Sequence, residues 1–443
     1  MNQLRRIFGM KIKNLILPGL LGIAVVVSVA LSSSIWINPA HYRNSQQTSV
    51  SNNSIIDNKP MSYVYSPTQL IQTDENGKQN MLTNHSSNLI SEIGNQMKNY
   101  DSKSVDRLSS GNIDEYKKLL EYKNSIILNY PSKISIKIFS KFINDSLSKG
   151  PNDSINRIVI PFDDSNEIYL MRDNGFHIYK AKFKNTNVSG LKEAIKNNVG
   201  TIPVKIKLIN KTPTIDFIKS FEMPQYGYLI NKTSQNYYVT RLLPNLHNTN
   251  NIKHHRNSVV YNDQSSKQLT FYNSGEAEYF DSRPNFISSD FTQTLIDSYK
   301  NISKLSISDN LSNLRYFSYS PKNSTIIYRN YVEGFPIFNQ NQYGAVQIKL
   351  VDNTSLRYNF SLNNLQIPVP TGGPNIKMNT TKEVVNSLSK AGYDVKKIGP
   401  IELGYQWSNS KDSNILVTLQ PTWFVYYNGR WNNYNQMINK VGY

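Results

Sequence analysis

Residues Val346–Leu362, VQIKLVDNTSLRYNFSL, decide how the second half of this chain is read. Val346, Ile348 and Leu350 alternate with polar partners, Asp352-Asn353-Thr354-Ser355 supplies turn chemistry, and Leu356, Tyr358, Phe360 and Leu362 alternate again. Alternation on both sides of a polar turn predicts an antiparallel hairpin with one buried face. Downstream, Asn379–Gly392 offers Thr380 or Thr381 as N-cap, Val384, Val385 and Leu388 at helical spacing, and Gly392 as a stop, so a helix is predicted there. Ile401–Trp407 and Ile415–Leu419, separated by the polar Ser408–Asn414, predict another hairpin. Hairpin, helix and hairpin make a small α+β unit.

The same shape occurs 89 residues earlier. Aligned without gaps, Asp263, Ser266, Phe271, Thr292 and Ser298 match Asp352, Ser355, Phe360, Thr381 and Ser387. The register continues from Leu314, Tyr316, Lys322, Ser324, Ile326 and Phe335 to Leu403, Tyr405, Lys411, Ser413, Ile415 and Phe424. Asp290–Ile302 is the counterpart helix, and Leu314–Tyr319 with Thr325–Tyr331 the counterpart hairpin. A duplication of one α+β unit is predicted. Farther upstream, apolar residues at helical spacing predict helices over Asn84–Asn99 and Ile113–Leu128. Alternation then predicts a strand through Ile134, Ile136 and Ile138, and a meander over Ile158–Phe162, Glu167–Met171 and Phe176–Phe183.

At 443 residues the chain exceeds what one hydrophobic core usually serves. The expected organisation is a helix-pair and β-meander domain over 60–210, a central α+β domain over 211–328 and a C-terminal α+β domain over 329–443. Cysteine is absent while Tyr numbers 29 and Phe 17, so packing of aromatic groups, with no disulfide or thiolate metal site, must hold these cores.

Leu15–Ile37, LILPGLLGIAVVVSVALSSSIWI, carries no charge and is long enough to cross a bilayer core of roughly 30 Å. Arg5, Arg6, Lys11 and Lys13 precede it and Trp36 sits where an interfacial aromatic belongs. The positive-inside rule puts residues 1–14 in the cytoplasm as a short tail. Residues 38–59, rich in Ser and Asn, form a spacer, and the rest lies outside the cell. A cleaved signal peptide is the competing reading, since Ser28 and Ala30 form a small-residue pattern, but the run is longer than an ordinary signal core. Within an uncleaved helix, Gly19, Gly22, Ser28 and Ala30 are small enough to admit a second membrane helix, with Trp36 as anchor; equally, they are tolerated filler.

The net charge of +18 would suggest nucleic acid in a cytoplasmic protein, a partner this topology removes. Outside a cell it gives weak, screened attraction to anionic wall polymers. No catalytic constellation is legible. Ser387-Leu-Ser389-Lys390 lacks the companion motifs of acyl transfer, His254 and His255 are adjacent and so point apart, and Asp163, Asp164 and Asp281 sit at predicted turns. The Gly-containing 368–374 stretch reads as a rigid linker, because its prolines remove the amide donors a phosphate cradle needs. Neither cofactor nor metal is expected. Trp423-Phe424-Val425-Tyr426-Tyr427 is either a core strand or, if exposed, a site for a polymer or ligand.

Taken together, the basic tail, the helix ending in Ile35-Trp36, Glu333-Gly334-Phe335-Pro336-Ile337-Phe338 followed by Tyr343-Gly344, Ile401-Glu402-Leu403-Gly404-Tyr405, and Leu419-Gln420-Pro421-Thr422-Trp423 with Asn428-Gly429-Arg430-Trp431 resemble the YycH (WalH) family. That resemblance implies a non-enzymatic, membrane-anchored regulator. With a YycI-like partner, which its closing domain resembles, it would bind the sensor kinase YycG (WalK) and modulate its output, Leu15–Ile37 being the kinase-contacting segment. The alternative is an extracytoplasmic binding module for a wall polymer or small ligand.

Overall fold

The computed structural model describes residues 59–439, except 84–85, 145–146, 148, 185, 187, 197–199, 210, 247–250, 264–265, 283–289, 306–312, 340–343, 352–354, 371–372 and 411–412. The predicted membrane span 15–37 lies outside the described residues. Among those described, no helix is long and apolar enough to cross a membrane.

The α+β expectation holds. The first sheet contains β1 (Gln69–Thr73), β2 (Gln79–Leu82), β3 (Ser102–Ser109), β4 (Ser125–Ser135), β5 (Ser154–Pro161), β6 (Glu167–Arg172), β7 (His177–Phe183), β8 (Thr201–Ile209) and β9 (Thr212–Phe217). Its spatial order is β3-β7-β6-β5-β4-β1-β2-β8-β9, antiparallel throughout. The helices of this half are α1 (Met61–Val64), α2 (Ser86–Met97), α3 (Ile113–Leu120), α4 (Ile136–Phe142) and α5 (Val188–Lys196). Both faces of the sheet are buried. Leu70, Ile126, Leu128, Ile158 and Ile160 enter one core with Leu89, Ile90 and Ile93 of α2. Ile71, Ile127, Val159 and Val204 enter another with Tyr116, Leu119 and Leu120 of α3.

That two-sided burial corrects two sequence expectations. The helix predicted over Ile113–Leu128 ends at Leu120, because Ile126-Ile127-Leu128 is the apolar run of a strand held between β1 and β5. Alternation through Ile134, Ile136 and Ile138 does not persist either. Ser135 accepts a hydrogen bond from the Lys137 amide and N-caps α4, whose Ile136, Ile138 and Phe139 are all buried.

The rest of the chain supplies β10 (Phe221–Met223), β11 (Tyr226–Lys232), β12 (Ile252–His255), β13 (Ser258–Asn262), β14 (Lys267–Tyr272), β15 (Glu276–Asp281), β16 (Leu314–Ser320), β17 (Thr325–Val332), β18 (Phe335–Phe338), β19 (Val346–Val351), β20 (Ser355–Ser361), β21 (Asn363–Val369), β22 (Ile376–Met378), β23 (Ile401–Asn409), β24 (Leu416–Tyr427) and β25 (Arg430–Asn433). Its helices are α6 (Gln235–Leu242), α7 (Phe291–Leu305), α8 (Thr381–Lys390) and α9 (Tyr434–Asn439). β10 and β22 form a small ribbon. The others join one long array in the order β12-β13-β14-β15-β20-β19-β17-β18-β23-β24-β11-β21, with β16 on β17 and β25 on β24.

The opening hairpin is present as β19 and β20, in the register Val346↔Phe360 to Val351↔Ser355. Its counterpart is β13 and β14. α7 and α8, and then β16–β17 and β23–β24, follow at the shared offset. Phe271 with Phe360, Leu314 with Leu403 and Tyr316 with Tyr405 are all buried. Thr380 N-caps α8 in a capping box with Glu383. The 368–374 stretch is a linker only in part, since Pro368 and Val369 end β21, a terminal strand that tolerates a missing amide. The copies are interleaved: β20 pairs with β15 and β19 with β17, so one copy's first hairpin completes the other's sheet. The expected domain limits fall at 210/211, between the paired β8 and β9, and at 328/329, within β17. The described residues form one compact unit.

Two glycines have conformational work. Glu333 (φ 49°) and Gly334 (φ 81°) connect β17 to β18, the positive-φ pair of a two-residue hairpin turn. A Cβ on Gly404 would stand 2.6 Å from the Pro336 carbonyl oxygen, which is how β23 lies parallel to and against β18.

Candidate functional site

Gly19, Gly22, Ser28, Ala30 and Trp36, the residues singled out for partner contact, lie outside the described residues. The aromatic run resolves as core: Trp423, Phe424 and Val425 are buried. Trp431 is half-buried, its ring 5.6 Å from those of Phe317 and Phe338 and 5.5 Å from Tyr426. His254 and His255 are exposed on β12. Asp163 accepts hydrogen bonds from the Ser165 amide at 3.0 Å and the Tyr122 hydroxyl at 2.8 Å, as a turn residue does. Among the described residues, no group of three or more His, Cys, Asp or Glu side chains could hold a metal.

What the fold does build is a cleft of about 660 Å³ where β1, β4, β5 and β9 of the first sheet meet β23 of the second array. Gln69 and Asn129 are directly paired on β1 and β4, so their side chains are neighbours. Asn129 Nδ2 donates to Gln69 Oε1 at 2.7 Å, and Gln69 Nε2 donates to Glu402 Oε1 at 3.0 Å. Glu402 stands on β23 between Ile401 and Leu403, half-buried at the cleft wall. Burial pushes its carboxyl up to about 7, against the opposing pull of the Gln69 hydrogen bond and the Arg329 charge. Arg329 is itself buried, which pulls its guanidinium down to about 9. It lies 4.0 Å from the centre of the Phe338 ring and 4.6 Å from that of Phe317, and donates to the Ile337 carbonyl at 3.2 Å.

Across the cleft, Arg157 on β5 forms an ion pair with Asp173 and donates through Nη2 to the Pro213 carbonyl on β9 at 3.1 Å. Asp173 also accepts from the Tyr116 hydroxyl at 2.6 Å, and its amide donates to Asn156 Oδ1 at 3.1 Å. Lys133 holds its ammonium 4.8 Å over the Phe291 ring and 5.6 Å over that of Tyr319. Burial, then the Arg172 charge, lowers its basicity. Sequence reasoning passed over these residues. The one local signal was Glu402, a lone carboxylate in the otherwise apolar and aromatic start of a strand; its partners come from distant segments.

Glu402 makes stability depend on pH. Its carboxyl titrates near 4.5 when free and near 7 in the fold, so the folded chain holds the proton more tightly. Stability is then full below pH about 4.5 and is lost as pH rises through about 7. For a fully buried group the shift would be worth about 3.4 kcal/mol, and solvent reaching Glu402 from the cleft reduces this to about 2 kcal/mol. Glu402→Gln therefore stabilises the protein by about 2 kcal/mol at pH 8 and has little effect at pH 4. Urea unfolding at the two pH values measures this; an equal effect at both would exclude the buried carboxyl as its source.

Two family models match the chain: the YycH protein N-terminal domain over residues 11–200 and the YycH protein C-terminal domain over residues 218–440. No curated protein sequence matches it. Among solved structures it is similar to the crystal structure of YycH from Bacillus subtilis, with a TM-score of 0.66 at 16% identity, over 85% of this chain and 97% of that one.

Proposed function

Because the chain belongs to the YycH family, whose members regulate the YycG/YycF two-component system, we propose that it is a non-enzymatic, membrane-anchored regulator that binds the sensor histidine kinase YycG (WalK) together with a YycI-like protein. The observation that carries this reading is the match of both YycH domains, in order, over nearly the whole length. The uncharged run Leu15–Ile37 supplies the anchor, with residues 1–14 in the cytoplasm and the bulk of the chain outside. Regulation then passes through contacts in the membrane and on the outer face, where the compact outer region can contact the kinase's sensor region.

Contact between helices in lipid depends on close approach at small residues. Gly19→Leu with Gly22→Leu is therefore expected to reduce kinase association at least tenfold in a membrane two-hybrid assay. The outer region's unfolding midpoint should stay where it is. Unchanged association would remove the helix as the contact route, and loss of pairing with both the kinase and the YycI-like protein in the unmodified chain would remove the regulator reading itself.

A further inference from the structure

The geometry points to the cleft between β1, β4, β5, β9 and β23 as a binding site for an anionic saccharide, a sugar bearing a phosphate or carboxylate group. Its volume of about 660 Å³ lies within the roughly 300–1,000 Å³ typical of small-ligand sites, and a bare inorganic anion would fill only a fraction of it. Three deeply buried side chains in its wall have polar atoms without a hydrogen-bond partner: Asn129 Oδ1, Arg157 Nε and the Tyr130 hydroxyl. Asn129 and Arg157 are 5% exposed and Tyr130 3%. Unmet buried polar atoms cost about 1–3 kcal/mol each, and protein interiors ordinarily satisfy them.

These atoms ask for different things, the Tyr130 hydroxyl being able both to donate and to accept. Asn129 Oδ1 accepts and so suits a hydroxyl, whereas Arg157 Nε donates and suits an anionic oxygen. Charge in the lining favours the anion. Lys133, Arg157, Arg172 and Lys211 face only Asp173 and Glu402. Arg157 is taken up by Asp173 and Arg172 by Asp153 at 2.7 Å. Lys133, over its aromatic rings, and Lys211, exposed at the rim, supply the remaining positive charge. Phe176 and Tyr319 add apolar wall, against which the C–H face of a sugar ring packs. Hydroxyl acceptor, anion donors and an aromatic wall together describe a charged sugar. The inference rests on the cleft alone and is independent of the kinase contact.

Isothermal titration of the full chain in detergent tests it with four probes: N-acetylglucosamine 1-phosphate, N-acetylmuramic acid, neutral N-acetylglucosamine and inorganic phosphate. The expected result is saturable one-to-one binding of at least one of the two anionic sugars, weakened tenfold or more by Lys211→Ala and by Lys133→Met. Lys211→Ala, an exposed rim change, is expected to leave the unfolding midpoint unaltered, which separates lost binding from lost folding. Binding of the phosphate sugar alone would assign a phosphoryl group to the cationic side, and of N-acetylmuramic acid alone a carboxylate. No binding of either, affinity indifferent to both lysine variants, equal affinity for the neutral sugar, or equal affinity for inorganic phosphate would each overturn the assignment.

Discussion

Arg157→Ala lowers the unfolding free energy by about 3–5 kcal/mol, because it strips one member from a buried ion pair and leaves the other charged. Arg157 joins three segments: β5, where it stands, the turn after β6 that carries Asp173, and β9 through the Pro213 carbonyl. Its loss leaves the Asp173 side chain, 18% exposed, with the Tyr116 hydroxyl as its remaining side-chain donor. A second change separates loss of the charge partner from loss of packing. Asp173→Asn placed in the Arg157→Met background removes the stranded carboxylate and should restore at least half of the lost stability. Urea unfolding followed by tryptophan fluorescence reads both. A loss below about 1 kcal/mol for Arg157→Ala would mean that solvent already reaches the pair and screens it.

Trp423→Ala is expected to cost a similar amount, about 3–5 kcal/mol, for an unrelated reason. The indole is 2% exposed, donates to the Asn379 carbonyl at 3.2 Å and meets the Phe217 ring edge-on at 5.1 Å. Phe217 ends β9 of the first sheet, and Trp423 belongs to β24 of the second array, so removal opens a cavity at a seam between the two. Hydrogen exchange should quicken in both strands, including amides of β9 that the substitution does not touch. Trp423→Phe, which keeps most of the volume, should cost less than half as much. Faster exchange in β24 alone would show that the seam is held by other contacts.

Local signals in the sequence identified local structure well. Thr380 and Glu383 lie three residues apart before an apolar stripe, and they form the capping box of α8. Val346–Leu362 folds as a hairpin because alternation and turn chemistry agree there. Where both faces of a strand are buried the signal fails, since Ile126-Ile127-Leu128 has no polar alternate to mark its period and reads equally as helix. The domain limits were hard to place for a related reason. Hydropathy marks a strand but not its partner, and nothing in Ser355–Ser361 says that it pairs with Glu276–Asp281. The cleft was hidden still more deeply: Gln69 and Asn129 are unremarkable polar residues, and Glu402 stands out only as a charge in an apolar strand, until the sheet order sets all three in one line of hydrogen bonds.

The interleaved order of the long array has a consequence for how the protein comes into being. β11 starts at Tyr226, yet it is hydrogen-bonded on one side to β21 and on the other to β24, with Tyr226 opposite Leu419. A chain that emerges from its N-terminus leaves β11 without a strand partner until β21 appears, and without its second neighbour, β24, until close to the end. Pairings so distant in sequence form slowly, and strand edges left waiting are prone to aggregate. Completion of the second sheet is thus tied to the last strands of the chain, and a chain cut short before β24 would leave both β11 and β23 with an open edge.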